Sequence, residues 1–530
     1  FGQNLFVTGN HSSLGGKNPE KAIPLSWVNH EFWQVSILFP VGAALPKEGI
    51  AYNYVLRQPD GSTVTDWGVH RLDSESLAAG ELVVVDSWNA PGSPENAFYT
   101  EPFQEVLLRA DRTEFTTARP FTPTHRFRVK APLLKRGQTL CLLGNCASLG
   151  HWDTRKPLLL DRSVKGLSAA VDLRDMCFPT EYKYGVFDLV RGEFVAYEGG
   201  ANRRLDSQAG DLVLVDDGFA ALPSGTWRGA GVAIPVFSLR TEQSFGIGEF
   251  ADLRPLADWC AQVGLKLIQI LPVNDTTSTH TWTDSYPYSA ISAFALNPVY
   301  LNLDAVVSAK NRALLAQLAP ERERLNALAE LDFEVVARAK LEFLRKIFPS
   351  QRAATFRSEE FKTFFAENQH WLTPYAAFCC LRDKHETADA RQWPEHQRCT
   401  PGVIAALTAP GSTDLVAVEF SYFLQFHLHQ QLQDAAAYAH ARGVILKGDI
   451  AIGVSRNGAD TWQAPELYDL NLQAGAPPDP FADQGQNWGF PTYNWPRMQQ
   501  DGFAWWRQRF AQMAHYFDAF RIDQIGRAHV

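Results

Sequence analysis

The sequence has no surplus of positive charge, no cysteine framework and no apolar run of membrane length. Lys and Arg number 49 against 58 Asp and Glu, a formal net charge of −9. That leaves no basic surface for a phosphate backbone, so no nucleic acid partner is expected. The seven cysteines are an odd number without a CxxC pair, and Cys379 and Cys380 are adjacent. Neither a disulfide framework nor a zinc site fits this pattern, and reduced, mostly buried thiols are expected. No stretch approaches the roughly 20 apolar residues of a membrane span, which argues against a membrane partner. No signal peptide is visible, although the chain starts at Phe1 rather than Met, and a cytoplasmic location is the expectation. The Gly-rich loop SFGIGEF, residues 244–250, lacks both the GxGxxG spacing and the Lys-Ser/Thr of a P-loop, which excludes a nucleotide site.

What is present is length and aromatic surface. A chain of 530 residues exceeds one ordinary core, so two to four domains are expected. Its 45% hydrophobic and 20% charged residues are those of a soluble globular protein. The 15 Trp, 15 Tyr and 34 Phe supply flat rings that either fill cores or stack on the apolar faces of sugars; composition permits both.

The stretch Gly443 to Asp523 carries the strongest pattern. GVILKGDIAIGV is an apolar run interrupted by Asp449; NGADTWQAPELYDL and DQGQNWGFPTYNW follow; HYFDAFRID ends on Asp523. An apolar run ending in a polar residue, a helix-like stretch, then another such run is the pattern of parallel β/α units. In a β/α barrel the C-terminal strand ends carry the chemistry, so Asp449 and Asp523 would face one cleft. Taken alone, an Asp at a strand end reads more often as a cap or turn residue. Arg521 changes the balance: two residues before Asp523 it shares a strand face, and a guanidinium there keeps a carboxylate ionised and oriented.

Three further strands are expected in GVAIPVFSLR, LKLIQILP and GVILKGDI, with DAFRID as the fourth. Between the first two, Leu253, Leu256, Ala257, Cys260 and Val263 form one helical face, stopped by Gly264. Residues 305–440 read as helical insertions; Val336, Ala339, Phe343 and Ile347 share a face with Asp332 as cap. In the helical stretch that follows, His427 and His429 are two apart and are expected to be solvated or capping rather than metal-binding.

GVILKGDIAIGVSRNGADTW, GQNWGFPTYNW and FRID resemble glycoside hydrolase family 77, the amylomaltase or disproportionating-enzyme family, over about Trp227 to Asp523. The resemblance implies an α-amylase-like (β/α)8 TIM barrel and 4-α-glucanotransferase activity by a retaining double displacement. In that scheme Asp523 is the nucleophile, Arg521 orients it, Asp449 hydrogen-bonds near Arg521 or to a sugar hydroxyl, and a Glu is the acid/base. DSYPYSAISAFALNPVYLNL resembles the family's substrate loop, which would put Tyr288 and Ser289 along the sugar cleft; the tyrosines read equally as loop anchors. Gln486 and Trp488 match glucan-contacting positions, Trp488 beside the acceptor. Attack by a carboxylate requires no cofactor and no metal.

Upstream, LFVTGNHSSLGG (Leu5 to Gly16) recurs as LCLLGNCASLGH (Leu140 to His151), and YNY (Tyr52 to Tyr54) answers YKY (Tyr182 to Tyr184). Short alternating runs bounded by turn residues make each copy a small β-sandwich, a tandem pair rather than a solenoid. The second copy, with LGHWD, EYKYGV and FVAYEGGANRRL, resembles a family 20 starch-binding module. By that resemblance Trp152 and Tyr197 stack on glucose rings, and Lys183, Glu198 and Asn202 hydrogen-bond sugar hydroxyls. The alternative is that the two rings fill the sandwich; a Trp after Gly and His in a turn is poorly placed for that. The first copy departs, with Lys17 in place of Trp152 and Asn53 in place of Lys183, while Trp67 keeps an aromatic near the Tyr197 position.

The expected architecture is therefore multidomain: two all-β starch-binding sandwiches, 1–112 (degenerate site) and 122–215, followed by a partial (β/α)8 TIM barrel with helical insertions over 225–530. The expected partners are α-glucans: maltose, maltooligosaccharides, starch and glycogen, as in the maltose-using subgroup with tandem starch-binding modules. An α-glucan hydrolase or a non-catalytic glucan-binding protein are the alternatives. The tail departs from the family, which has His after Asp523 where Gln524 stands. The run from Gln524 to Val530 reads like a translated sequencing adapter. With four strands only, the acid/base Glu would lie further on, and the chain as written is expected to bind starch without turning it over.

Overall fold

Two runs of nearly identical pattern, LVVVD and LVLVD, set the architecture of the N-terminal half. Alternation buries one face of a strand, whereas an unbroken apolar run asks for cover on both. The computed structural model describes residues 2–523 apart from 41–45, 47, 110–112, 118–121, 164–165, 175, 177, 207–209, 224–225 and 481. It divides into two units, Phe1–Arg228 and Gly229–Val530. In the first unit the two runs are the strands Leu82–Asp86 and Leu212–Phe219, paired in parallel with Leu82 opposite Leu212 and Asp86 opposite Asp216. They form one end of a five-stranded sheet completed by His125–Lys130, Gly166–Val171 and Asp161–Ser163. Two further five-stranded sheets flank it, one from each copy of the repeat. Leu82, Val84, Leu212 and Leu214 point into a core with Val7, Ile50 and Leu72. Val83, Val85, Val213 and Val215 point the other way, into a core with Phe127, Leu140 and Tyr184.

The two expected sandwiches are joined through this sheet. The copies share their middle layer, and a cut between 112 and 122 would take from the first copy the partner of its last strand. The Pro-rich segment between the copies is structured in part, with short helical turns at Pro94–Tyr99 and Pro102–Leu107 that bury Asn96 and Val106.

The repeat places the same buried polar clamp in each copy. In the first, the Tyr52 and Tyr54 hydroxyls donate to Asp86 at 2.7 and 2.8 Å, and the Tyr54 N–H donates to Asp66 at 2.8 Å. In the second, the Tyr182 and Tyr184 hydroxyls donate to Asp217 at 3.0 and 2.8 Å, and the Tyr184 N–H donates to Glu198 at 3.0 Å. The cation differs. Arg203 grips both Glu198 oxygens at 2.9 Å and lies 3.4 Å from Asp217; His70 lies 2.7 Å from Asp66 and 3.5 Å from Asp86. Burial opposes a charge on His70, but its bonds to Asp66 and Asp86 outweigh it and hold the imidazole up at about 10. His70, Asp86 and Asp216 bring ligand-type atoms within 4.8 Å of one another; with a carboxylate at each ring nitrogen, the imidazolium is the cation they face.

The second unit is built on a parallel sheet in chain order: Gly231–Ile234, Leu267–Ile270, Ile445–Ile450 and Ala519–Ile522. These are the four apolar runs read from the sequence. Among the described residues this sheet has four strands and does not close. The helix Leu253–Val263 crosses between the first two and stops at Gly264, whose φ of +83° suits glycine. Three long helices follow: Phe333–Arg357, capped by the Asp332 side chain on the Val335 N–H, then Glu359–His385 and Leu415–Ala441. Val336, Phe343 and Ile347 join Ile268, Leu446 and Phe423 in one core. The SFGIGEF loop packs so tightly that a Cβ on Gly248 would sit 1.9 Å from the Val236 carbonyl oxygen. Its Glu249 makes a buried ion pair with Lys340 at 2.6 Å.

His427 and His429 are neither solvated nor capping, which corrects that reading. His429 is buried with Nδ1 2.8 Å from the Tyr516 hydroxyl, and His427 packs between Phe423 and Phe426. Burial lowers both to about 4, so they are neutral. Among the described residues no helix is long and apolar enough to cross a membrane. The expectation about Gln524 to Val530 lies outside the described residues.

Candidate active site

The register of the last two parallel strands assembles the carboxylates. Asp449 stands opposite Arg521, and the Asp523 N–H donates to the Ile450 carbonyl at 3.1 Å. The Arg521 guanidinium bridges the pair, one nitrogen on Asp449 Oδ2 and the other on Asp523 Oδ1. The Tyr288 hydroxyl donates to the same Asp449 oxygen at 2.9 Å. The Asp449 side chain is fully buried while that of Asp523 is 17% exposed, so Asp523 is the carboxylate an incoming molecule can reach. Asp449 Oδ1 has no hydrogen-bond partner among the described residues. Burial pushes the Asp449 carboxyl up, against the opposing pull of Tyr288 and Arg521. Burial, with Asp449 beside it, raises the Tyr288 phenol to about 12, which keeps it a hydrogen-bond donor at neutral pH.

Aromatic walls surround this group. Tyr288 and Trp488 pack on one small cluster, Ile452, Ala474 and Phe490, and the Trp488 indole donates to Gln486 at 3.0 Å. Ser289 occupies the turn beside them, its N–H on the Tyr286 carbonyl at 3.2 Å. The structure therefore brings Asp449, Arg521, Asp523, Tyr288 and Trp488 into one region, with Gln486 joined through Trp488. It adds Tyr286, which the sequence reading passed over. Its ring lies 5.6 Å from that of Tyr288, it is 55% exposed, and burial and then the Asp523 charge raise its phenol. The doubled tyrosine in DSYPYS was its only signal.

In the first unit, the Trp152 and Tyr197 rings lie 6.4 Å apart at 69°, half-buried at the surface. Trp152 sits at φ +63° and Lys17 at φ +64°, so the turn is repeated and only the side chain changed. Lys183 donates to the Gly200 carbonyl at 2.6 Å and Asn202 to Glu181 at 3.1 Å, which braces the 199–202 loop. Asn53 binds the Gly68 carbonyl in the first copy, where the backbone of half-buried Trp67 pairs with Asn89. Glu198 is a correction. It is 4% exposed, and its oxygens are taken by Arg203 and by the N–H groups of Tyr184 and Ala221. A carboxylate so committed belongs to the clamp, not to a sugar.

Comparison with known proteins bears on this geometry. The 4-alpha-glucanotransferase family profile matches residues 234–526, and the starch binding domain profile matches 1–72 and 124–213. The chain is 37% identical to 4-alpha-glucanotransferase DPE2 of Oryza sativa subsp. japonica over 546 residues, 99% of this chain and 57% of that one. It is 31% identical to the 4-alpha-glucanotransferase of Chlamydia muridarum over 296 residues, 56% of this chain and 54% of that one. Among solved structures, the amylomaltase from Streptococcus agalactiae in complex with acarbose matches at a TM-score of 0.47 and 23% identity, covering 56% and 59% of the two chains. The chain spans about half the length of the curated relatives it matches.

Proposed function

The chain belongs to the 4-alpha-glucanotransferase family, glycoside hydrolase family 77, and from that premise we propose that it transfers glucosyl or maltooligosaccharide units between α-1,4-glucans by a retaining double displacement. One observation carries the reading: a single guanidinium, Arg521, bridges a buried and a reachable carboxylate at the ends of adjacent parallel strands. Asp523 attacks the anomeric carbon of the donor, the bond to the leaving sugar oxygen breaks, and a carboxylic acid protonates that oxygen. The resulting glycosyl ester is then attacked by an acceptor hydroxyl, whose proton returns to the same acid/base group. The family resemblance gives that role to a Glu after a fifth barrel strand, and the complete (β/α)8 barrel belongs to the same proposal. Arg521 orients Asp523 through their ion pair, and the fully buried Asp449 anchors Arg521 and Tyr288 behind it. Trp488, on the same apolar cluster as Tyr288, would stack the acceptor and so favour transfer over water.

Maltose as donor and a starch- or glycogen-like acceptor, with Trp152 and Tyr197 as the surface anchor, complete the proposal. A cytoplasmic location goes with it, supported by six thiols outside any disulfide among the described residues: Cys141, Cys146, Cys260, Cys379, Cys380 and Cys399. The test is an assay of the full reading frame with maltose and glycogen. Glucose released only when glycogen is present, with oligosaccharides lengthening in parallel, supports transfer. Glucose released equally without glycogen, with a net gain of reducing ends, points to hydrolysis. Glycogen bound with no product leaves a glucan-binding protein.

A further inference from the structure

Asp460 and Arg509 lie behind the carboxylates and touch neither of them. Asp460, in the short helix Ala459–Gln463, is 5% exposed, and its Oδ2 accepts the Ala293 N–H at 2.6 Å. Ala293 follows Tyr288 by five residues on the same loop. Arg509, in the helix Ala504–Ala514, is 1% exposed and donates to the Ala451 carbonyl at 2.7 Å, two residues beyond Asp449. Tyr493 fixes the next carbonyl, Ile452, at 2.8 Å. The arrangement is a costly way to fill space. Arg509 Nε and Nη1 and the Tyr468 hydroxyl have no hydrogen-bond partner among the described residues, and burial raises the Asp460 carboxyl to about 7. Buried polar groups left unsatisfied call for an explanation beyond packing.

We propose that Asp460 and Arg509 are positioning residues: each grips the backbone beside one half of the Tyr288–Asp449 hydrogen bond and together they hold that bond in register. From its own helix, Asp460 holds the loop that carries Tyr288, and Arg509 holds the chain just beyond Asp449. The importance of that bond to the chemistry rests on the function proposed above; the grip itself does not.

Hydrogen exchange by mass spectrometry on the full chain separates the two. Asp460→Ala removes the acceptor, Asp460→Asn keeps an acceptor oxygen, and Arg509→Met removes the donor. The expected result is about tenfold faster exchange over 288–296 in D460A and near wild-type exchange there in D460N. R509M should show faster exchange over 449–454, with 267–270 unchanged in all three. Exchange over 288–296 that is unaltered in D460A, or raised equally across the whole unit, overturns the inference. If D460A does not fold, R509M decides it, and unchanged exchange over 449–454 overturns it. In the full reading frame the same variants should lower kcat more than they raise KM. Absence of transfer in the wild type would sink the functional reading while leaving the exchange result standing.

Discussion

Replacing His70 by Gln tests whether a proton holds the first starch-binding copy together. In the folded chain the imidazole is faced by Asp66, Asp86 and Asp216, with Tyr52 and Tyr54 alongside. The ordinary histidine value is 6.5, and here it is raised to about 10, a gap worth on the order of 5 kcal/mol. Because the folded value is the higher one, the folded state holds the proton more tightly. The contribution is fully present below pH 6.5, declines above it, and is gone once pH passes about 10. Wild type should therefore melt above H70Q by on the order of 10 °C at pH 6, and the two should converge near pH 10. Calorimetry of the full chain at intervals between those limits reads this directly. Arg203→Gln is the control: arginine does not titrate in this range, so its melting deficit should stay nearly constant with pH. A deficit for H70Q that is flat from pH 6 to 10, or that widens as pH rises, refutes the reasoning.

Arg521→Met should lower kcat/KM for maltose-to-glycogen transfer by at least about 100-fold in the full reading frame, read as glucose release; a loss below tenfold contradicts its role. Trp152→Ala should weaken retention on insoluble starch by about tenfold or more, whereas Trp67→Ala should change it little. Glu198→Gln should lower the melting temperature of the first unit and leave starch affinity intact, because both its oxygens serve the clamp. The neutral His427 and His429, held at about 4, predict that the second unit loses stability as pH falls from 6.5 toward 4, where the unfolded chain takes up protons first. Replacing both by Asn should flatten that slope in urea titrations.

The four strands and the helix Leu253–Val263 were legible because each carries its signal within about ten residues. The Arg521–Asp523 contact was legible for the same reason, being an i, i+2 pair. Contacts across long separations were not: Tyr288 reaches Asp449 over 161 residues, and no local pattern announces it. Glu198 was misread because the motif gives its neighbours but not the reach of Arg203, five positions on. His427 and His429 were misread because the middle of Leu415–Ala441 is buried on almost every side, from Phe420 to Phe426 and at Leu428 and His429, so a polar side for a solvated histidine is missing there. The shared middle sheet did leave a trace. LVVVD and LVLVD are unbroken where a one-sided strand would alternate.

That shared sheet imposes an order on synthesis. Glu81 and Asp211, which hydrogen-bond at the start of the parallel pair, are 130 residues apart. At about 5–20 residues per second, a ribosome delivers the second strand roughly 6–26 s after the first. For that interval Leu82 and Val84 on one side, and Val83 and Val85 on the other, belong to a strand without its neighbour, and the core around Ile50 lacks Leu212 and Leu214. The first copy's own sheet can pair before that, but its last strand, Leu82–Asp86, gains its parallel neighbour only with the end of the second copy. The middle layer is thus the last part of the first unit whose strands can all be present at once.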